Sequence, residues 1–177
     1  MQLRIPNPFD LKENFKCYDR WYGCVDFTRR TVLDLGADVG STADYFLLKG
    51  ASYVIAVEAR VDLVRQMKKN LVERLGVAAF NVRPIQEVIQ SAAQIENLVT
   101  RFHPDVVKLD INGAQFGKAY VEGELWQMSP AILRSVPEWL VELHTAELKE
   151  KVLACMACRG FTLKQLEGRV AYFRLAS

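Results

Sequence analysis

The sequence predicts an α/β fold, in which helices cover both faces of a doubly wound, mostly parallel sheet. Short apolar, β-branched runs alternate along the chain with amphipathic segments at helical spacing, which is typical of a parallel sheet. The last two apolar runs, 161–166 and 170–175, flank Glu167-Gly168, a pattern that favours a hairpin. We therefore expect one antiparallel strand at or near an edge of the sheet.

Each element follows from local periodicity and from the residues that bound it. The expected strands are 31–35, 53–57, 77–85, 105–110, 138–144, 161–166 and 170–175. The expected helices are 10–18, 41–49, 61–75, 88–102, 117–135 with an interruption at Pro130, and 146–159. Ser41 or Thr42 can cap the second helix, and Gly76 closes the third. Residues 31–177 form one domain, and residues 1–30 either pack over one end of the sheet or form a lid.

Length and charge restrict the class of protein. A chain of 177 residues can bury a core without staples, and its net charge of +2 does not indicate a nucleic-acid partner. No apolar run reaches the length of a membrane span, and the N-terminus lacks the apolar core of a signal peptide. We expect a cytoplasmic protein with a small-molecule partner; the oligomeric state is open.

Four cysteines raise the question of a metal or a disulfide. Cys155 and Cys158 form a Cys-x-x-Cys pair, to which Cys17 and Cys24 could add two zinc ligands. Cys155, however, falls on the apolar stripe of the predicted helix 146–159, where a free thiol behaves as a small hydrophobe. We expect reduced structural cysteines and no metal site, with zinc or a disulfide as the alternatives.

The most informative stretch is the turn Gly36–Gly40, which joins a buried strand to a helix. Glu58 ends the next strand, so strand, glycine turn, helix and acid-tipped strand form a nucleotide-binding unit. A dinucleotide-binding loop would carry a glycine where Asp38 stands. Asp34 and Asp38 would repel a pyrophosphate and attract a ligand that bears an ammonium and a sulfonium. The charges therefore favour S-adenosyl-L-methionine over a nicotinamide dinucleotide.

Four stretches in this order resemble class I S-adenosylmethionine-dependent methyltransferases, and within them the FkbM family. They are Val32-Leu-Asp-Leu-Gly-Ala-Asp-Val-Gly40, Val54-Ile-Ala-Val-Glu58, Val107-Lys-Leu-Asp-Ile-Asn-Gly-Ala-Gln115 and Leu140-Val-Glu-Leu-His144. The resemblance implies a seven-stranded sheet with an antiparallel last strand, and methyl transfer to a hydroxyl of a small molecule or sugar. Asn112 and Gln115 stand where the family has acids, which leaves a donor-binding protein without catalysis as an alternative.

The carboxyl ends of the central strands are where an open α/β sheet binds its ligand. Asp110 and His144 end two of them and are the candidate base or acceptor-orienting groups, unless they serve only as structural strand-end residues. Strand alternation would place Glu142 on the same side as His144. Adenine is expected in an apolar slot near Ile85. The predicted donor-binding residues are Asp34, Gly36, Ala37, Asp38, Gly40, Glu58 and Gln86, with Glu87 as an alternative to Gln86.

The sequence allows two other functions, RNA methylation and NAD-dependent oxidation. The basic pairs Arg29-Arg30 and Lys68-Lys69 could contact RNA, although solvated faces explain them better. An RNA methyltransferase therefore stays an alternative with nucleic acid an unlikely partner, and an NAD-dependent oxidoreductase ranks last because of the charges at the loop.

Overall fold

A computed structural model describes residues 11–112 and 120–176, with side chains from residue 15 onward. The strands are β1 Thr31–Leu35, β2 Tyr53–Glu58, β3 Val82–Gln86, β4 Val106–Leu109, β5 Glu138–Glu142, β6 Phe161–Glu167 and β7 Val170–Leu175. The α-helices are α1 Leu11–Tyr22, α2 Ser41–Leu48, α3 Val61–Leu75, α4 Ala92–Phe102, α5 Pro130–Ser135 and α6 Ala146–Cys158. Two 3₁₀ segments, Gly76–Asn81 and Glu122–Gln127, complete the described elements.

The strands form a seven-stranded sheet in the order β3-β2-β1-β4-β5-β7-β6. β1 to β5 are parallel to one another, whereas β7 is antiparallel to both of its neighbours, β5 and β6. The predicted doubly wound α/β fold and its C-terminal hairpin are thus confirmed. The chain order reverses between β1 and β4, which places the topological switch point of the sheet there.

Helices on both faces give the sheet two buried layers. One apolar cluster includes Leu33, Ile55 and Ile95, and a second includes Val32, Val54 and Phe46. Successive residues of β1 and β2 thus face opposite layers, as strand alternation requires. A strand buried on both faces must be apolar along its whole length, which explains the continuous apolar runs in the sequence.

Several boundaries differ from the predicted ones. The strand expected at 77–85 begins only at Val82, because Gly76 ends α3 and the next residues form a 3₁₀ turn in which Val77 and Phe80 are exposed. The helix expected from Val88 begins at Ala92. Apolar spacing alone cannot separate a tight exposed turn from a regular element.

Two further expectations concern helices near the carboxyl ends of the strands. The region expected to be helical at 117–135 contains the 3₁₀ segment Glu122–Gln127 and the short α5, and its residues 117–119 lie outside the described part. α2 is capped by Gly40 in the left-handed conformation, not by Ser41 or Thr42. The cap prediction was wrong because the Thr42 hydroxyl donates to Asp34 instead, at 2.5 Å.

Each of the two outer strands of the sheet, β3 and β6, carries an irregularity. Pro84 lies inside β3, and pairs with Ala56 of β2. β6 carries a register shift between Leu163 and Gln165 in its pairing with β7. Within the described ranges, no helix has both the length and the apolar character needed to cross a bilayer.

Candidate active site

A crevice of about 270 Å³ opens at the carboxyl ends of the central strands. The loop after β1 forms one side of it, and residues at the ends of β4 and β5 form another. Aromatic side chains of α1 line it as well. Its lining includes Tyr18, Trp21, Tyr22, Gly36, Ala37, Asp38, Ser41, Thr42, Lys108, Asp110 and Glu142. Several residues that the sequence analysis selected on separate elements therefore share one cavity.

The glycine turn is shaped by close backbone approach. Gly36 has φ +85°, and a Cβ atom added to it would lie 1.8 Å from the carbonyl oxygen of Asp110. Gly40 has φ +88°, and its added Cβ would lie 2.7 Å from Cγ of Met67. The amides of Gly36 and Ala37 both donate to the Val57 carbonyl oxygen, at 3.0 Å. Only glycine fits at these two positions, so the loop is held against both β2 and β4.

Asp38 occupies the position at which a dinucleotide loop would have glycine. Its φ is 49°, in the left-handed region that Asp tolerates better than most residues. Its amide donates to Oε2 of Glu58 at 3.1 Å, and the other oxygen of Glu58 accepts from the Arg60 amide at 2.9 Å. Glu58 thus fixes the turn to the tip of β2. Each of its carboxylate oxygens keeps a lone pair for a ribose hydroxyl.

Gln86 ends β3 directly beside Glu58, its register partner in the sheet. Its side-chain amide donates to the Ala59 carbonyl oxygen at 2.9 Å, so the exposed side chain is held against the loop after β2. Ile85, beside it, is half-buried. The structure therefore brings Gln86 next to Glu58 at the carboxyl ends of β2 and β3, although neither residue lines the crevice.

Asp34 is fully buried, and its charge is balanced inside the protein. Nζ of Lys108 lies 2.9 Å from Oδ1 of Asp34 and 3.0 Å from the Gly36 carbonyl oxygen. Asp34 and Lys108 are register partners on β1 and β4. The prediction that Asp34 attracts a cationic ligand through an uncompensated charge is thus corrected. The Asp34 carboxylate instead supports the loop through Lys108 and Thr42. Of the acids predicted to bind the donor, Asp38 and Glu58 remain partly exposed.

Lys108 is a residue that the sequence analysis quoted but did not select. Its side chain is 2% exposed, and its ammonium also lies 3.6 Å from Oδ2 of Asp110. Asp34 and Asp110 together raise the pKa of Lys108 against the opposing effect of burial. The available signal was a lysine inside the aliphatic run Val106–Leu109, because a charged residue is almost never fully buried unless it is paired.

Asp110, Glu142 and His144 form a compact cluster at the ends of β4 and β5. Nε2 of His144 lies 3.9 Å from Oδ1 of Asp110 and 3.8 Å from Oε2 of Glu142. The predicted shared side of Glu142 and His144 is thus confirmed.

Glu122 and Tyr120 orient the imidazole of His144. Its Nδ1 lies 3.1 Å from Oε1 of Glu122, which also accepts from the His144 amide at 3.1 Å. The ring stacks on Tyr120, with centroids 4.6 Å apart and an interplanar angle of 18°. Glu122 is 1% exposed on its side chain and is a second residue that sequence reasoning missed. A carboxylate that accepts from Nδ1–H leaves Nε2 as the free lone pair of the ring.

Asp110, Glu142 and His144 shift one another's pKa values. Burial, and after it the neighbouring Asp110 carboxyl, raise the pKa of Glu142 to about 7. Burial alone would also raise the pKa of Asp110, but Lys108, Glu142 and His144 together hold it below its ordinary value. The hydrogen bond to Glu122 raises the pKa of His144. One acid therefore stays ionised while its neighbour holds a proton near neutral pH.

The segment before β1 covers one side of the crevice. In α1, Tyr18 packs edge-on against Tyr45 of α2 at a centroid distance of 5.5 Å, and Asp19 accepts from the Tyr45 hydroxyl at 3.0 Å. Gln165 of β6 donates to the Arg20 carbonyl oxygen at 2.8 Å. α1 thus packs on the domain and also forms an aromatic wall of the cavity, which suits both interpretations of residues 1–30.

The cysteines and the second histidine lie outside this arrangement. All four cysteine thiols are free, with Cys155 buried in α6 and the others exposed. His103 follows the last residue of α4 in the left-handed conformation and is exposed.

Comparisons with known proteins indicate the fold. No protein-family model matches the chain. An uncharacterized protein of Sulfolobus islandicus filamentous virus is 38% identical over 52 residues, which cover 29% of this chain and 33% of that protein. The chain thus spans a third of the length of this curated relative, and the match carries no statement of activity.

Solved structures match over most of the chain. Magnesium protoporphyrin IX methyltransferase from Synechocystis PCC 6803, solved with bound S-adenosylmethionine, gives a TM-score of 0.64 at 12% identity, covering 94% of this chain and 79% of that one. The chain has the class I methyltransferase fold. Ribosomal protein L11 methylase from Lactobacillus delbrueckii subsp. bulgaricus gives 0.60 at 13% identity, covering 87% and 74%. Aeropyrum pernix fibrillarin, with natively bound S-adenosylmethionine, gives 0.56 at 12% identity, covering 85% and 67%.

Proposed function

We propose that this protein is a cytoplasmic S-adenosylmethionine-dependent methyltransferase of the FkbM type, which methylates a hydroxyl oxygen of a small molecule or sugar. The observation that carries the proposal is the shared crevice. Gly36, Ala37 and Asp38 line it together with Asp110 and Glu142. Glu58 and His144 contact these lining residues, since Glu58 accepts from the Asp38 amide and His144 lies within 4 Å of Asp110 and Glu142. A donor site beside a proton-accepting cluster is what a hydroxyl methyltransferase requires.

The donor half would bind the nucleoside by contacts that a class I methyltransferase fold provides at β1 and β2. Glu58 would accept from the ribose hydroxyls, and Gln86, its neighbour on β3, would contact the adenine. The exposed carboxylate of Asp38 would accept from the ammonium of the donor's amino-acid end. Neighbours with this fold were solved with S-adenosylmethionine bound, which supports this nucleoside as the ligand.

The acceptor half would position and deprotonate the hydroxyl. In the transfer, the acceptor oxygen attacks the methyl carbon, the carbon–sulfur bond breaks, and its electron pair neutralises the sulfonium. The hydroxyl proton would pass to Nε2 of His144, whose Nδ1 is held by Glu122. Asp110 and Glu142 would then face the resulting imidazolium, at 3.9 and 3.8 Å from Nε2. The donor is already activated, so the contribution of the protein is orientation and proton removal.

Two alternatives keep specific support. Asn112 and Gln115 differ from the acids of the FkbM pattern, which favours a protein that binds the donor without using it; Asn112 bridges to Tyr120, and Gln115 lies outside the described residues. An RNA acceptor draws its support from the basic pairs Arg29-Arg30 and Lys68-Lys69. Those pairs are partly used within the fold, because Arg30 bonds Glu138 at 2.9 Å. Exposed free thiols suit a reducing compartment such as the cytoplasm.

The donor claim is tested by calorimetric titration with S-adenosylmethionine and S-adenosylhomocysteine. Glu58→Gln should weaken binding of both nucleosides at least tenfold, because the carboxylate loses its charge where two ribose hydroxyls donate. Glu73→Gln on the exposed face of α3 is the matched control and should leave affinity unchanged. If the parent protein binds neither nucleoside, the proposal is rejected.

The acceptor claim is tested in the same protein with a panel of sugars and small alcohols. Methyl transfer that is lost in Asp110→Asn while donor binding persists would support catalysis on a hydroxyl. Donor binding without turnover on any acceptor would favour the non-catalytic alternative. Salt-sensitive binding to RNA would favour the nucleic-acid alternative.

A further inference from the structure

The acid–histidine cluster at the ends of β4 and β5 has the composition of a metal site. Asp110, Glu142 and His144 each offer one ligand atom, and all three atoms lie within 4.8 Å of one another. Ligands around a cation at about 2.1 Å are separated by roughly 3.0 to 3.4 Å when they occupy adjacent positions. Closing the present separations of 3.8 and 3.9 Å therefore requires side-chain shifts of under about 1 Å.

The Nε2 atom of His144 faces the two carboxyl groups without a hydrogen-bond partner among the described residues. The His144 side chain is 8% exposed, and Nδ1 is held by Glu122. Across the described part of the chain, Nε2 has no hydrogen bond, since its distances to Asp110 and Glu142 exceed bonding range. A histidine that donates one ring N–H to a buried carboxylate and directs the other nitrogen at acids matches the outer-shell arrangement of metal-bound imidazoles.

The charges of the surroundings leave room for a cation. Asp110 turns Oδ2 toward Lys108 at 3.6 Å and Oδ1 toward His144, so its second oxygen is available on the cluster side. Asp34 already takes a closer contact with the same lysine, at 2.9 Å. Glu122 adds a further carboxylate behind the imidazole, and one of its oxygens is buried with no hydrogen bond. The carboxyl groups of Asp110, Glu122 and Glu142 therefore surround the imidazole, and Lys108, the ammonium nearest to Asp110, is shared with Asp34.

We propose that Asp110, Glu142 and His144 bind one divalent cation of the Mn²⁺ class, with Glu122 as the outer-shell residue that fixes the imidazole. Two carboxylate oxygens and one imidazole nitrogen suit a divalent ion between the hard Mg²⁺ and the softer Zn²⁺. Three protein ligands leave coordination positions open toward the crevice, because Asp110 and Glu142 line it and are partly exposed.

The role of the cation rests on the proposed function, whereas its binding does not. A bound cation would take Nε2 of His144 as a ligand and would lower the pKa of an acceptor hydroxyl coordinated beside it. The hydroxyl proton would then leave to a water molecule rather than to His144. The acceptor would be an oxygen-rich molecule able to enter the coordination sphere, which deepens the assignment to sugars and other hydroxylated small molecules.

The test uses Mn²⁺ alone with the chelator-treated full chain. Loss of the free Mn²⁺ paramagnetic resonance signal should give one bound ion per chain. His144→Ala should weaken binding more than tenfold, and Glu122→Gln should weaken it about tenfold or more, as expected for loss of an outer-shell carboxylate. His103→Ala is the matched control, because His103 is the other histidine of the chain and lies exposed at the end of α4.

A second readout needs no variant. The chain has two histidines, so sub-stoichiometric Mn²⁺ should broaden the imidazole proton signals of one, His144, and leave those of His103 sharp. Absence of stoichiometric binding, or equal broadening of both histidines, would overturn the inference. If Mn²⁺ binds and S-adenosylmethionine does not, the proposed function fails and the cation site stands; the reverse result rejects the cation site alone.

Discussion

Replacing Lys108 by Met tests whether the buried ammonium holds the two halves of the candidate site together. In the parent protein, Nζ of Lys108 contacts Asp34 at 2.9 Å and the Gly36 carbonyl oxygen at 3.0 Å, with side-chain exposures of 2% and 0% for the ion pair. Removing one member of a buried pair leaves an uncompensated charge and costs about 3–5 kcal/mol. For a chain of this length the loss corresponds to a decrease in Tm of roughly 6–20 °C.

The rescue variant separates charge from packing. In Lys108→Met/Asp34→Asn, no buried charge is left on β1, and the Thr42 hydroxyl can still donate to the amide oxygen. Most of the lost free energy of unfolding should return. The remainder is about 1 kcal/mol for the Gly36 carbonyl oxygen, which keeps no side-chain donor.

Urea denaturation at pH 7.5, followed by circular dichroism, measures the four free energies of the double-mutant cycle. The coupling between the two residues should be at least about 2 kcal/mol. A cost below about 1 kcal/mol for Lys108→Met, or a double variant no more stable than Lys108→Met, would refute the reasoning. Either result would mean that solvent, and not Lys108, balances Asp34.

Two further stability predictions use matched controls in the same urea assay. Gly36→Ala should cost roughly 2–4 kcal/mol, because its Cβ would overlap a carbonyl oxygen at positive φ, whereas Gly76→Ala, also at positive φ but with no atom within 4 Å, should cost about 1 kcal/mol; equal costs would contradict the close approach. Arg74→Met should cost about 3–5 kcal/mol, because Arg74 pairs with the buried Asp44 at 2.5 Å, and the exposed Lys69→Met should cost under about 1 kcal/mol; similar values would show that the Arg74 pair is hydrated.

The donor half of the site could be predicted from sequence because its signals are local. The turn Gly36–Gly40 and the acid Glu58 lie within one strand–turn–helix–strand unit, where spacing fixes the geometry. Positive φ at Gly36, Asp38 and Gly40 matches the pattern of that turn. The Asp34 interpretation failed because the partner of its charge, Lys108, is 74 residues away in the chain and is brought opposite only by the β1–β4 register.

The acceptor half could be predicted only in part. Asp110 and His144 were found because each ends a strand, but the residues that orient His144 come from elsewhere. Glu122 begins a short 3₁₀ segment, and Tyr120, which stacks on the imidazole, lies just before that segment. Neither residue has a periodic pattern, so no sequence signal connects them with a strand that begins at Glu138. Tertiary contact, not local propensity, places them.

The interruptions in the two outer strands have a consequence for how copies of the chain meet in a concentrated solution. Pro84 in β3 has no backbone N–H to offer to another strand, and the irregular register of β6 at Leu163 and Gln165 disturbs the even spacing that another strand would need. Strand-to-strand growth into extended aggregates is therefore disfavoured at either side of the sheet. Association of this chain with itself or with other proteins would have to proceed through side chains.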